Sequence, residues 1–215
     1  MFAEIAPVYD RGNRILSLWQ DQRWRREAAA LAPSGVGWAL DVGTGTGELA
    51  LELTRGGREV AGLDFSPAMM ARARAKAKAG VSFVLGDAHR LPFADGSFEG
   101  LTMGFVLRNL ENLRRALAEM YRVLKGGGWL VCLEVVRPHP TALLHRLYLA
   151  AAVPWMGWWV SRNLPAYSFL ARSARLVPKP EEVTAAMKAA GFQEIKFRRL
   201  SHGAVGVHLA LKSGG

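Results

Sequence analysis

The run Asp41-Val42-Gly43-Thr44-Gly45-Thr46-Gly47-Glu48 places three glycines at alternate positions between two acids. Glycine reaches backbone conformations closed to other residues and lets a ligand come close to the main chain. The run follows the apolar Trp38-Ala39-Leu40 and precedes the helical pattern Leu49-Ala50-Leu51-Glu52-Leu53. A strand, a tight turn and a helix start form a setting in which backbone amides meet a nucleotide-like ligand. The spacing is G-x-G-x-G. It is neither the G-x-G-x-x-G of most dinucleotide sites nor a P-loop, whose Lys is missing.

Two further acids fall where such a ligand would lie. In an open α/β sheet, ligands sit beyond the carboxyl ends of the strands. Asp64 ends the strand-like run Glu59–Asp64. It could accept hydrogen bonds from two vicinal ribose hydroxyls, and an acid there excludes a 2′-phosphate. Asp87, in Gly86-Asp87-Ala88, follows the run Ser82–Leu85 and could read an adenine amino group. Thr102-Met103-Gly104-Phe105 closes a further run, 98–105. One acid alone suits a solvated surface; two after successive strands, beside a glycine loop, make a site.

The elements that must position these residues alternate. Residues 10–31 read as one or two helices, and Pro33-Ser34-Gly35 ends them. Strands follow at 38–42, 59–64, 82–85, 98–105 and 129–136. Helices are expected at 48–55, at 67–79 after the cap candidate Ser66, and at 113–124, closed by Lys125-Gly126-Gly127-Gly128. Such alternation implies a parallel sheet covered on both faces. After residue 137 the pattern breaks into an insert with helices around 141–173. A helix at 181–190 follows. Strands at 193–200 and 204–211 are joined by only Ser201-His202-Gly203, which favours a terminal hairpin.

The chain has 215 residues, half of them hydrophobic, enough for one α/β domain with a large core. Cys132 is the sole cysteine and lies in an apolar run, so no internal disulfide forms and a reducing compartment is expected. The N-terminus lacks the pattern of a secretory signal. The apolar stretch 147–160 is short for a membrane span and is broken by Pro154 and Gly157. The histidines 89, 139, 145, 202 and 208 show no metal-ligand spacing, and no metal is expected. Net charge is +10, and residues 135–180 contain no acid but carry five arginines, a lysine and six Trp, Tyr or Phe residues. That mixture suits an anionic membrane surface or RNA, or a solvated basic face over a Trp-rich core.

The combined motifs resemble class I S-adenosylmethionine-dependent methyltransferases. The matching pieces are 41–47, Gly62-Leu63-Asp64-Phe65-Ser66, 86–88 and the turn 124–128. The resemblance implies a seven-stranded Rossmann-like α/β sheet with its last strand antiparallel, N-terminal helices and a helical insert after strand 5. Its product is S-adenosylhomocysteine. It assigns cofactor contacts to Asp41, Gly43, Gly45, Thr46, Gly47, Asp64, Phe65, Met69, Asp87, Ala88 and Gly104, with Thr46 near the amino-acid end.

A narrower resemblance covers nearly the whole chain. Residues 2–10 with Asn13 and Trp24-Arg25, then Gly104-Phe105-Val106-Leu107-Arg108-Asn109, 119–125, 166–173, Gly191-Phe192, Gly203 and His208 look like the demethylmenaquinone and ubiquinone C-methyltransferases. Two positions depart from that family's pattern: Val106 stands where a glycine is usual, and Ser201-His202-Gly203 replaces Thr-x-Gly. The resemblance implies one domain over 1–215, with 1–36 as a helical cap and 137–175 as a lid for a prenyl tail. It implies methyl transfer to a ring carbon of a prenylated quinol, demethylmenaquinol to menaquinol. His202, Asp10 and Tyr9 are the candidate proton acceptors, with His208 more simply a strand histidine; Arg108 and Asn109 are candidates for holding a quinol oxygen. Glu134 is either an acid at the site's rim or a partner for Arg108. Partners are the quinol, an anionic membrane surface on the cytoplasmic side and a possible second copy, with no nucleic acid.

Three other readings compete. Another small molecule could accept the methyl. An RNA methylase would commonly add a binding domain or an Asn-Pro-Pro-Tyr motif, and neither occurs here. A non-catalytic, membrane-associated cofactor binder would bind without turnover. A NAD-dependent oxidoreductase is disfavoured by the glycine spacing and the lack of a Tyr-x-x-x-Lys pair.

Overall fold

The structure, a computed structural model, describes residues 9–33, 35, 37–136 and 177–214. The segment 137–175, expected to be the lid, and the N-terminal motif 2–8 lie outside these residues. Two helices open the described chain, α1 (Tyr9–Leu16) and α2 (Gln20–Ala29). Then come β1 (Trp38–Val42), α3 (Glu48–Thr54), β2 (Glu59–Asp64), α4 (Pro67–Ala75), β3 (Val81–Leu85) and β4 (Phe98–Gly104). A 3-10 turn at Leu107–Asn109 leads to α5 (Leu113–Val123) and β5 (Leu124–Val135). The described chain ends with α6 (Pro180–Ala189), β6 (Gln193–Leu200), a 3-10 turn at Ser201–Gly203 and β7 (Val205–Leu211).

One seven-stranded sheet runs in the order β3-β2-β1-β4-β5-β7-β6. β1 to β5 are parallel neighbours, and β7 is antiparallel to both β5 and β6. The order reverses between β1 and β4, so the switch point lies beyond Val42 and Gly104. The expected antiparallel ending is present, with β7 inserted between β5 and β6.

Strand residues alternate between two cores. Leu40, Val42, Leu101, Met103 and Leu130 pack with Ala116, Leu117 and Met120 of α5 and with Met187 of α6. Ala39, Val60, Val131, Leu133 and Val207 pack with Ala28 of α2 and Ala50 and Leu53 of α3. The core strands are therefore apolar on both faces, as a covered parallel sheet requires.

Two boundaries differ from the sequence reading. Helix α4 stops at Ala75; Lys76, its C-cap, pairs with Asp10 and Glu48, and the chain then turns through Gly80, at φ 83, toward β3. The Lys125–Gly128 stretch is not a turn beyond a helix; it is the start of β5. Its register with β4 shifts between Phe98 and Gly100, where Trp129 lies over Gly100 so closely that a Cβ there would fall 2.0 Å from the indole.

Candidate active site

The glycine loop is built on buried polar bonds. Asp41, at 1% exposure, accepts hydrogen bonds from the Thr44 and Thr102 hydroxyls, both at 2.7 Å. Burial raises its pKa from 3.8 to about 6, while the Thr102 and Thr44 bonds and the nearby Arg25 oppose the rise. The Thr44 amide donates to the Leu63 carbonyl, and the Gly45 amide donates to Asp64 Oδ2 at 2.8 Å. Asp64 Oδ1 accepts from the Ser66 amide at 2.9 Å. Desolvation raises the Asp64 pKa, against those amide bonds. The loop and the acid at the end of β2 are thus one hydrogen-bonded unit.

Two glycines have separate reasons. Gly43 has φ +67, and a Cβ there would lie 2.5 Å from Val106. Gly45 has φ +56 with nothing within 4 Å of its missing Cβ, so its open side faces the space a ligand would take.

A cleft at the switch point is lined by Tyr9, Gly43, Gly45, Asp64, Phe65, Met69, Asp87, Ala88, Gly104 and Asn109 among the residues expected there. Leu63, Gly86, His89, Phe105, Val106 and Leu110 line it as well. Phe65 is 63% exposed and offers an aromatic face beside Asp64. Asp87 carries a lowered pKa, chiefly from the His89 amide and then the His89 ring, whose Nδ1 lies 2.7 Å from its carboxylate. The Asn112 amide donates to His89 Nε2, which leaves Nδ1 to donate to Asp87. His89 was not singled out by sequence, since only the fold brings it against the start of α5.

The remaining candidates lie outside this cleft lining. Gly47 precedes α3, where a Cβ would meet the Phe83 ring at 2.9 Å. Thr46 is 2% exposed, and its hydroxyl donates to Asp10 at 2.5 Å. Asp10 also receives the Lys76 ammonium, which bonds Glu48 at 2.7 Å. Asp10 therefore fastens α1 to the glycine loop with both oxygens engaged. Lys76 lies within the helix expected at 67–79; nothing in the spacing shows that it closes this triad.

Arg108 pairs with the buried Glu134 at 3.0 Å, and the Leu107 amide donates to the other Glu134 oxygen. Burial raises the Glu134 pKa, and Arg108 is the largest opposing influence. Of the two roles weighed for Glu134, the partner role is the one seen. His202 is exposed on the turn between β6 and β7, in a second cleft with Arg199 and Gln20. His208 donates from Nε2 to the Pro180 carbonyl at 3.1 Å, and desolvation lowers its pKa. Among the described residues no group of His, Cys, Asp or Glu could hold a metal, and no helix is long and apolar enough to cross a membrane.

The sheet order and the glycine loop define a class I methyltransferase fold. A possible histamine N-methyltransferase from Thermotoga maritima aligns with 99% of this chain and 98% of its own at TM-score 0.73 and 25% identity. A phosphoethanolamine N-methyltransferase of Haemonchus contortus, solved with S-adenosyl-L-methionine, shares the fold at TM-score 0.65 and 16% identity, over 90% of this chain and 52% of its own. The profile of the ubiE/COQ5 methyltransferase family matches residues 1–212, and the chain belongs to that family. A demethylmenaquinone methyltransferase of Thermus thermophilus is 44% identical over 97% of this chain and 98% of its own. One from a Roseiflexus species is 42% identical over 100% and 92%. The ubiquinone/menaquinone biosynthesis C-methyltransferase of Desulfotalea psychrophila is 36% identical over 99% and 89%. The chain is accordingly an S-adenosylmethionine-dependent methyltransferase.

The cleft fits that cofactor. Gly45 leaves a cradle that any side chain would fill, and Asp64 and Asp87 offer carboxylates to a ribose and an adenine amino group. Gly43, Gly104, Phe65, Met69 and Ala88 complete the lining around them.

Proposed function

We propose that the chain methylates a ring carbon of a prenylated quinol, converting demethylmenaquinol to menaquinol. The observation that carries this reading is the match over residues 1–212, together with relatives at 36–44% identity named for menaquinone or ubiquinone biosynthesis.

When bound, S-adenosylmethionine supplies an electrophilic methyl that ends on the acceptor. Asp64 takes the ribose hydroxyls, Asp87 the adenine amino group, and Phe65 with Met69 and Ala88 the faces of the base. Gly43, Gly45 and Gly104 allow the main chain to close on the ligand. Tyr9 and Asn109, which line the same cleft, hold a quinol oxygen. Phe105, Val106 and Leu110 supply the apolar wall that keeps water from the reacting carbon. Val106, in place of a glycine, narrows the space beside Gly43.

A quinol ring carbon ortho to a hydroxyl becomes a stronger nucleophile as that hydroxyl loses its proton. The proton taken from the hydroxyl before transfer returns to that oxygen when the methylated carbon gives up its own, so one net proton must leave the apolar wall for each methyl transferred. Tyr9 is the candidate acceptor that lines the cleft. Asp10 holds α1 instead, and His202 serves only an acceptor that reaches past Trp24 to the hairpin. Arg108 acts through Glu134 to fix the turn that carries Asn109. Positioning then contributes much of the rate. The segment 137–175 is the proposed lid for the prenyl tail, and a place at the cytoplasmic face of the membrane follows from that substrate.

A panel of demethylmenaquinol, a ubiquinone-type benzoquinol and a non-quinol amine tests the reading. Turnover is expected with a quinol, and turnover with the amine alone overturns it. Tyr9→Phe and Asn109→Ala should each lower kcat/KM about tenfold, the worth of one hydrogen bond, with cofactor affinity unchanged.

A further inference from the structure

The turn between α1 and α2 holds two large apolar side chains in water. Leu18 is 60% and Trp19 62% exposed. Both have left-handed backbone, φ 51° and 61°, a region that residues with a Cβ rarely adopt. The turn is nonetheless fixed. The Leu18 amide donates to the Ile15 carbonyl at 3.1 Å and the Trp19 amide to the Arg14 carbonyl at 2.6 Å. The Ser17 hydroxyl bonds Asp21 at 3.0 Å. A glycine or a polar residue would suit this turn better on both counts. Strain and exposure at the same two residues point to a contact outside the chain.

The ground beside the turn is basic. Gln20, the next residue, lines an open cleft with Arg23, Glu27, Arg198, Arg199, Leu200, Ser201 and His202. Three guanidinium groups there face one carboxylate, Glu27, which bonds Arg23 at 2.8 Å and lies 3.6 Å from Arg198. The placement is rigid, because the Trp24 indole N–H donates to the Ser201 hydroxyl at 2.7 Å. It also lies beside the active cleft: the Trp24 ring is 6.3 Å from that of Phe105, which lines the cleft.

We propose that the Leu18–Trp19 turn and its arginine cleft dock on an anionic phospholipid bilayer. Leu18 and Trp19 enter the interfacial layer, where an indole and an alkyl side chain partition well, and Arg23, Arg198 and Arg199 meet lipid phosphates. The contact would bring the mouth of the active cleft to the surface from which a prenylated acceptor is drawn. The inference deepens the quinol reading, but the surface itself carries it.

Vesicle sedimentation tests it without any acceptor. The whole protein should bind phosphatidylglycerol vesicles at least tenfold more tightly than phosphatidylcholine vesicles at 0.1 M salt. The double variant Leu18→Ser, Trp19→Ser should lose at least fivefold of that affinity, and Arg198→Glu, Arg199→Glu should lose as much with a weaker salt dependence. A polarity-sensitive dye on Leu18→Cys should shift to the blue with vesicles, and the same dye on Lys125→Cys, at the amino end of β5 and away from the cleft, should not. The native Cys132 is buried and does not compete for the label. Turnover of a short-tailed quinol in detergent should be unchanged in the Ser variant. Wild-type vesicle affinity in that variant overturns the proposal, as does a protein that ignores anionic vesicles and instead dimerises through Leu18 and Trp19. Failure of the quinol reading would show in the detergent assay and leave vesicle binding untouched.

Discussion

The Asp64 carboxylate accepts the Gly45 amide at 2.8 Å, joining the end of β2 to the middle of the glycine loop. The acid proposed to hold the ribose also sets the loop that approaches the ligand. Asp64→Ala should therefore do double damage, removing a ligand partner and orphaning the Gly45 and Ser66 amides. Calorimetry should show S-adenosylhomocysteine affinity falling at least about tenfold, the worth of one charge-assisted bond. Unchanged affinity would remove the ribose assignment.

Lys76 should matter more than its place at the end of a short helix suggests. Its ammonium holds Asp10 and Glu48 together, and Asp10 in turn receives Thr46. Lys76→Met should leave two half-buried carboxylates side by side, costing about 1–2 kcal/mol and lowering Tm by roughly 2–8 °C. Hydrogen exchange should quicken across Tyr9–Leu16 while the β-sheet is unaffected. Unaltered exchange in that helix would show that the triad does not hold it.

Asp41 gives a pH dependence whose sign is fixed by its raised pKa. Its contribution to stability is fully present below about pH 3.8 and is lost as pH rises through about 6. At about 1.4 kcal/mol per unit, the change between those limits is at most about 3 kcal/mol. Asn in its place keeps one acceptor and does not titrate. The stability of the wild type relative to Asp41→Asn should therefore fall between pH 4 and 6.5 and be flat above pH 7. A difference that rises over that range would contradict the burial argument.

Much of this molecule could be read from its chain, for local reasons. The strand ends at Val42 and Asp64 were legible because glycine, acid and apolar runs alternate at short range. The terminal hairpin was legible because three residues cannot span a crossover. The order β5-β7-β6 was not, since it is set by which edge buries Val207 and Leu200. Within the site, Asp64 ends β2, Asp87 follows β3 and Tyr9 opens α1, and all three line the cleft. Asp10 holds Thr46 and Lys76 instead, because contacts between distant segments leave no spacing signal, whereas Arg108 meets Glu134 as one of the two readings of that acid had it. His89 and Lys76 belong to the same class of residue, ordinary in sequence and placed by the fold.

The central claim is carbon methylation of a quinol in the cleft between Asp64 and Tyr9. It is tested most directly by supplying S-adenosylmethionine with a ¹³C-labelled methyl and reduced demethylmenaquinone, then locating the label by NMR. The account predicts one labelled methyl on the ring carbon, with S-adenosylhomocysteine formed in equal amount. Label in a methoxy group, or cofactor bound with no label transferred, would contradict it.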